Sequence, residues 1–399
     1  MKGLAVDLQF NHADPPLHPR SILPVRPDRA MPAVAVLPPD MLANIHRRLS
    51  LLDRLAFAAV FRSSRDAFRP EAPCLVLPGD SPDAVTLFSL AGRIAAATRA
   101  PGPDHRFLGS SSSRGWMATA DAFAQMRLVN PVTGERRALP AIDTICHSVD
   151  EGRHHFMVDL KLFQRVPPPY PIGNMRFTAK AMRRFFYRKV VLSDSGDIAM
   201  LITGPEFAHD GVEPVAMIEG GSWRLWHSRN GIEDAIHHEG RFYSITYSGK
   251  LEVWEERDVD DPGVFTSAVV TPSLLLLSDG PDHRKYLVAV PCGQLMIVLK
   301  EPMGDRTLPS FRVHVLSGGA EEWKETDDIG DASLFVGTMG CLCVSTREHP
   351  ELRAGCIYYT TDGCVVMFSL KVGRVEQVEG LGTHRSWPPL EWFTPYIPR

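Results

Sequence analysis

The chain has 399 residues, an apolar fraction of 44% and a charged fraction of 23%, so it can bury a large core and is too long for one small domain. A net charge of −4 gives it no electrostatic grip on nucleic acid or on an anionic membrane. Seven cysteines at irregular spacing exclude a disulfide scaffold and read as reduced thiols of a cytoplasmic and/or nuclear protein.

Met1 to Phe10 carries Asp7 and Gln9 and has no apolar run of the kind a signal peptide needs. The longest apolar stretch, Phe265 to Leu277, is interrupted by Thr266, Thr271 and Pro272, too short and too broken to span a bilayer. Residues 1–36 hold Pro15, Pro16, Pro19, Pro24, Pro27 and Pro32 without an apolar period, which predicts a flexible leader.

Residues 37–69 read as short helices. After Pro39 there is no proline or glycine up to Phe68, and Met41, Leu42, Ile45 and Leu49 recur at the spacing of one helix face. Pro38 and Pro39 suit a helix start, where the missing N–H has no intrahelical partner anyway. Ser50, three residues before Asp53, is a cap for a second helix, with Leu55, Ala59 and Val60 expected to face inward. A last helical turn is expected through Arg65 and Phe68. A segment this small is not stable without neighbours.

From about residue 72 the texture becomes β-rich. Arg241 to Ile245, the turn Ser248-Gly249 and Leu251 to Trp254 make one hairpin signature; Gly355 to Tyr359, Asp362-Gly363 and Val365 to Phe368 make another. Looser versions surround Ser195-Gly196 and Cys292-Gly293, and Gly115 to Ala118 is followed by Met126 to Val129. Small sheets that cannot bury both faces alone stack around an axis. The fold class is therefore mainly β, a six- or seven-bladed β-propeller over residues 72–399. A pair of β-sandwiches would also give many short strands, but the recurring unit of glycine, aromatic strand, turn and apolar strand favours the propeller. To close the ring, Cys74 to Leu77 and Val85 to Leu90 are expected to pair near Val375 to Val378 or the tail to Trp392.

Leu37-Pro38-Pro39-Asp40-Met41-Leu42, with Ile45, Leu49, Asp53-Arg54-Leu55 and Val60, resembles an F-box. Phe61 and Ser64 stand where that motif carries a cysteine and a tryptophan. Phe107 to Ser111, Gly115-Trp116, Leu128 to Glu135, Ile329 to Gly337, Gly355 to Tyr359 and Trp387-Pro388-Pro389 resemble, in order and spacing, the plant F-box proteins with domain of unknown function 295, the KIB type. The resemblance implies a small α-helical F-box ahead of a β-propeller, in a substrate-recruiting subunit of a Skp–cullin–F-box ubiquitin ligase. Leu37, Pro38, Asp40, Met41, Leu42, Ile45, Leu49 and Leu55 would then meet a Skp-type adaptor, and through it a cullin, while one propeller face would hold a target protein. The alternatives are an adaptor-independent scaffold and a propeller hydrolase.

No catalytic chemistry is written in the chain. There is no Gly-x-Ser-x-Gly elbow, and Gly249-Lys250-Leu251 is a hairpin turn, not a phosphate loop. No metal or cofactor is expected: Cys341 and Cys343 are read as alternating strand faces, as are the neighbours His237 and His238, and Cys356 and Cys364 complete no paired spacing. Arg183-Arg184, Arg188-Lys189 and the aromatics Phe185 to Tyr187 form a basic–aromatic cluster, expected as a solvated strand edge. Pro167 to Pro171 fits a WW-domain ligand and is expected as a stiff loop. Glu325 to Asp328 and Asp331 are expected as a loop, not a calcium site.

Overall fold

A computed structural model describes residues 37–78, 85–90, 92–98, 106–110, 115–144, 147–148, 155–159, 174–204, 212–217, 221–228, 231–256, 265–274, 283–291, 293–302, 309–316, 322–360, 364–378 and 390–396. The predicted leader and the Pro167 to Pro171 motif lie outside them, as does the Asp362-Gly363 turn.

Two helices and a 3-10 turn open the described residues: α1 (Pro39–His46), α2 (Leu51–Val60) and Arg62–Ala67. The proline start of α1 is as expected, and the Ser50 hydroxyl accepts from the Asp53 N–H at the start of α2. The inward register of α1 differs from the expected stripe. Leu42 and His46, one turn apart, are buried, whereas Met41 and Ile45 are 48% and 37% exposed. On α2, Leu51 and Leu55 point inward, and Val60 is exposed instead of buried.

The rest is mainly β-structure, in six hydrogen-bonded sheets among the described residues, with short helical turns at Ile142–Thr144 and Ala179–Phe186. The first has the order Glu391–Phe393, Cys74–Pro78, Val85–Ser89, Ile94–Thr98. The second is a meander from Arg106–Ser110 through Met117–Ala120 and Met126–Val129 to Arg136–Ala138. The third has three strands, Asn174–Thr178, His155–Asp159 and His147–Ser148. The fourth has eight, a meander from Tyr187–Leu192 to Trp223–His227 and another from Ile232–His238 to Phe265–Val269, joined by one parallel pairing of His227 with Thr266. The fifth runs from Arg284–Ala289 to Trp323–Thr326. In the sixth, Ala332–Val336 lies between Cys341–Ser345 and the parallel strand Cys356–Thr360, followed by Val365–Ser369 and Arg374–Gln377.

The first sheet is buried on both faces between its neighbours. Leu75, Leu77 and Trp392 of the first pack on Phe335, Tyr358 and Met367 of the sixth, while Cys74, Val76 and Phe393 pack with Phe107, Met117 and Val129 of the second. Alternate residues of one strand thus serve opposite neighbours, as a period of two dictates. Of the two expected partners the tail is the one found: Cys74, Leu75 and Val76 pair with Phe393, Trp392 and Glu391, so the first strand is not left with a bare edge, whereas Val375 pairs with Phe368 in its own sheet.

Two short-range expectations fail. Cys341 and Cys343 share one strand face, both packed against the core of the fifth and sixth sheets, while Leu342 points to the other; residues two apart cannot alternate. The Arg183 cluster is not a strand edge. Ala179–Ala181 is a helical turn capped by Thr178, and Met182–Phe186 continues it as a wider turn that buries Met182 and Phe186 and leaves Arg184 and Phe185 outside.

Near the axis the strands approach backbone to backbone. A Cβ placed on Gly109 would lie 2.1 Å from the Val190 carbonyl oxygen and 3.4 Å from that of Met339, so only glycine fits there. Lys189 donates to Asp234 at 2.7 Å and to the Ala235 carbonyl at 2.9 Å, tying Tyr187–Leu192 to Ile232–His238. Asp234 also accepts from the Leu287 N–H at 2.9 Å, and Glu233 accepts from both the backbone N–H and the ammonium of Lys285, each at 2.9 Å, which binds Ile232–His238 to Arg284–Ala289.

Candidate functional site

The helices sit on the propeller through their apolar side. Leu51 and Leu55 belong to the same buried cluster as Cys74, Val76, Leu87, Phe107 and Phe393. Each such side chain contributes about 1.5–3 kcal/mol. Polar contacts fix the angle. Arg54 makes a two-pronged ion pair with Glu71, both bonds 2.6 Å, and donates to the Leu49 carbonyl at 2.9 Å. Arg69 pairs with Glu351 and lies 3.3 Å from His349 Nδ1, joining the segment after the helices to the sixth sheet. The helices are therefore built into the propeller, not an independent domain.

An aromatic knot occupies the distal end. His46 stacks on Phe68 with ring centres 4.7 Å apart and planes 4° from parallel, and Phe57 touches both Phe61 and Phe68 at 4.5 and 5.7 Å. Burial lowers the His46 pKa from its ordinary value, against an upward pull from Glu71. Ser64 is buried beside this knot, so Phe61 and Ser64 form a packed end of their own.

Of the residues expected to meet an adaptor, Pro38, Asp40, Met41 and Ile45 are exposed, Leu37 and Leu49 are half-buried, and Leu42 and Leu55 are inside the molecule. Leu42 packs within the helical segment and Leu55 onto the propeller, so in the chain by itself neither offers a surface. Periodicity could not separate the two sets, because Met41 and Leu42 are equally apolar and only the neighbour decides which one is covered.

Recesses open beside the helices and elsewhere on the propeller. One of about 260 Å³ lies between helices and propeller, lined by His46, Arg54, Arg69, Glu71 and His349. One of about 330 Å³ opens at an end of the axis, where Lys189, His237, His238, Cys341 and Thr394 meet Pro70 and Glu71. The largest, about 680 Å³, is a cleft between the fifth and sixth sheets with a floor of Met296, Val315, Ile329 and Val344 and a rim of Lys324, Glu325, Asp331 and Arg347. The acidic segment forms part of that rim as a turn, the Asp328 carboxylate accepting from the Gly330 N–H at 2.8 Å.

At the axial recess, burial pushes the Cys341 thiol up to about 12, which leaves it un-ionised and a poor nucleophile. His237 is held by the Asp194 N–H, which donates to its Nδ1 at 3.0 Å. Among the described residues no three His, Cys, Asp or Glu side chains are grouped to hold a metal ion.

One pattern escaped the sequence reading. Inner strands begin with charged residues: Arg106, Arg188-Lys189, Glu233-Asp234, Arg284-Lys285 and Glu391. The recurrence of charge just before an apolar strand was a legible signal of an ionic axis.

The pattern of the F-box domain matches residues 36–71, and that of the KIB1-4 beta-propeller matches residues 87–384. The chain is 29% identical over 143 residues to the F-box/kelch-repeat protein At1g64840 of Arabidopsis thaliana, covering 34% of each chain. It is 26% identical over 192 residues to the F-box protein At2g17036 of the same plant, covering 41% of this chain and 45% of that one. The chain thus spans less than half the length of these curated relatives. Among solved structures, the β-propeller domain of Myceliophteria thermophila Cps50 aligns over 78% of this chain and 96% of its own, with 10% identity and a TM-score of 0.34. With the F-box pattern falling on α1, α2 and the turn after them, and the propeller pattern on most of the sheets, the chain belongs to the KIB1-4 β-propeller family and carries an F-box ahead of its propeller.

Proposed function

We propose that the chain is a substrate-recognition subunit of a Skp–cullin–F-box ubiquitin ligase and is not itself an enzyme. The observation that carries this reading is the exposed apolar strip of Pro38, at the cap of α1, with Met41 and Ile45 on it, inside the F-box match; the buried side of α1 packs on α2 and the 3-10 turn, and α2 packs on the propeller. Large apolar side chains left in water on an anchored helix are what a partner helix or groove covers. The propeller is the platform for the target protein, and ubiquitin transfer belongs to other subunits. Residence in the cytosol and/or nucleus accords with Cys74, Cys341, Cys343, Cys356 and Cys364 all being free thiols.

The reading includes a ring of six blades. Its support is the succession of neighbours at the axis: Glu391–Phe393, Arg106–Ser110, Tyr187–Leu192, Ile232–His238, Arg284–Ala289 and Cys341–Ser345. The third sheet lies outside this succession, packed against the core shared by the second and fourth.

The test is calorimetric titration of the full chain with a purified Skp-type adaptor. The unaltered chain binds, and the double variant Met41→Asp, Ile45→Asp loses binding at least about tenfold with an unchanged melting midpoint, because two carboxylates would have to be desolvated in the interface. Absence of adaptor binding by the unaltered chain would move the adaptor-independent scaffold to first place.

A further inference from the structure

The fifth and sixth sheets share one apolar core, yet a cleft of about 680 Å³ stays open between them. Aromatic rings fill part of that core, Phe311 lying 5.2 Å from Tyr359 and 5.4 Å from Phe368 between ring centres. Aliphatic members of the same core form the floor of the cleft: Val290, Met296, Ile329 and Ala332 are buried, and Val315 is half-buried. Sites that take ligands have volumes of about 300–1,000 Å³, an apolar lining and a few placed polar groups. Val290, Pro291 and Val344 also line the axial recess, so the two openings adjoin.

The charges on the rim fall into two sets. Asp331 accepts from the Ser345 hydroxyl at 2.8 Å and from Arg347 Nε at 2.9 Å. Glu325 pairs across the strands with His314, on the face away from the cleft, and lies 3.5 Å from Arg312 and 3.7 Å from His314. These groups are matched within the chain. Among the described residues no carboxylate pairs with Lys324, and no cation pairs with Asp328, whose carboxylate accepts the Gly330 N–H at 2.8 Å. Lys324 and Thr326 stand opposite Val315 and Val313 of the shared core, so both face the cleft. The Thr326 hydroxyl donates to the Asp328 carbonyl oxygen at 2.9 Å and accepts from the Asp328 N–H at 3.1 Å, which fixes Asp328 just beyond the strand. The rim thus presents one cation and one anion four residues apart, a span of at most ~13 Å along a strand.

A polyanion would be repelled by Asp328 and a polycation by Lys324, while a purely apolar ligand would use neither charge. A chain with one charge of each sign and an apolar side chain between them uses all three features. In an extended segment, residues at positions one, three and five point the same way. We propose that the cleft between the fifth and sixth sheets takes an extended segment of the target protein. Its acidic residue meets Lys324, its basic residue four positions away meets Asp328, and the large apolar side chain midway between them enters the floor of Met296, Val315 and Ile329. This inference rests on the target-recruiting reading above and supplies its recognition chemistry.

The test is titration of the full chain with fluorescein-labelled peptides, followed by polarisation. The probes are Thr-Glu-Thr-Leu-Thr-Lys-Thr and the same peptide with Glu and Lys exchanged, since the segment can lie in either direction. At least one of them is expected to bind saturably. Alanine in place of the central leucine weakens that probe about tenfold, the worth of one large apolar side chain. Glutamine in place of both charged residues weakens it about fivefold, as expected for pairs on an exposed rim. Lys324 is exposed, so Lys324→Glu keeps the fold, checked by an unchanged melting midpoint. It weakens the mixed-charge probe about fivefold and restores binding to a probe with lysine at both charged positions. No saturable binding in either order, equal binding of the alanine probe, or unchanged affinities in Lys324→Glu would overturn the proposal. Adaptor titration of the same preparation separates the two readings. Adaptor binding without probe binding strikes the cleft alone, and probe binding without adaptor binding leaves a peptide-binding scaffold.

Discussion

Trp392 donates its indole N–H to the carbonyl oxygen of Val336 across 3.1 Å, and its ring meets Phe335 edge-on with centres 4.9 Å apart. Trp392 is fully buried, and its strand pairs with the first strand of the propeller body. A residue near the C-terminal end of the described chain therefore closes the first sheet against the sixth. Trp392→Ala is expected to destabilise the protein by about 3–5 kcal/mol, the usual cost of emptying a large aromatic site. Denaturant unfolding followed by tryptophan fluorescence checks this, and a loss below about 1 kcal/mol would contradict the closing role.

Leu42 and Met41 are neighbours with opposite assignments. Leu42→Asp buries an unpaired carboxylate inside the helices and is expected to lower stability by about 3 kcal/mol or more. Met41→Asp places the same charge in water and leaves stability within about 0.5 kcal/mol. Thermal melts of both variants separate packing from docking before any partner is added.

Ser64→Trp tests the distal end of the helices. On the resemblance alone, the tryptophan would strengthen adaptor docking. With Ser64 buried and its N–H donating to the Phe61 carbonyl at 3.0 Å, at the end of the helices where Phe61 meets Phe57, the larger side chain is expected to overpack and cost about 1–3 kcal/mol. Equal or greater stability by urea unfolding would show that the knot yields.

Acid should weaken the protein below neutrality. His46, His314 and His349 are all held below the ordinary histidine value of 6.5, each mainly by burial. Arg54 adds to the depression of His46, Arg312 to that of His314 and Arg69 to that of His349, while Glu71, Glu325 and Glu351 oppose it. The unfolded chain takes up these protons more readily than the folded one. Stability is therefore independent of these groups well above pH 6.5, and falls as pH drops through 6.5 toward the lowered values. Unfolding free energy measured from pH 8 to pH 5 is expected to decline in the lower half of that range, with a shallower decline in His46→Gln. A rise over that interval would mean that the carboxylates around the histidines govern them.

Local chemistry made the short-range features legible in the sequence. Proline at the start of α1, Ser50 as cap, glycine at the φ = 76° turn of Gly249 and the change from helical to alternating periodicity each depend on residues within a few positions of one another. The β-rich hairpins, their radial stacking and the pairing of Cys74 to Val76 with the tail followed from that pattern and from the cost of a bare edge. Tertiary structure alone decided which of two adjacent apolar residues, Met41 or Leu42, meets water, because both fit the same helical period and only the neighbouring 3-10 turn and α2 cover one of them. It alone decided that the Arg183 segment turns as a helix, since burial of Met182 and Phe186 in a distant core outweighs the local pattern. Which of the charged strand starts would pair was likewise hidden: Lys189 and Asp234, and Glu233 and Lys285, are far apart in the chain, and only closure of the strands around one axis brings each pair together.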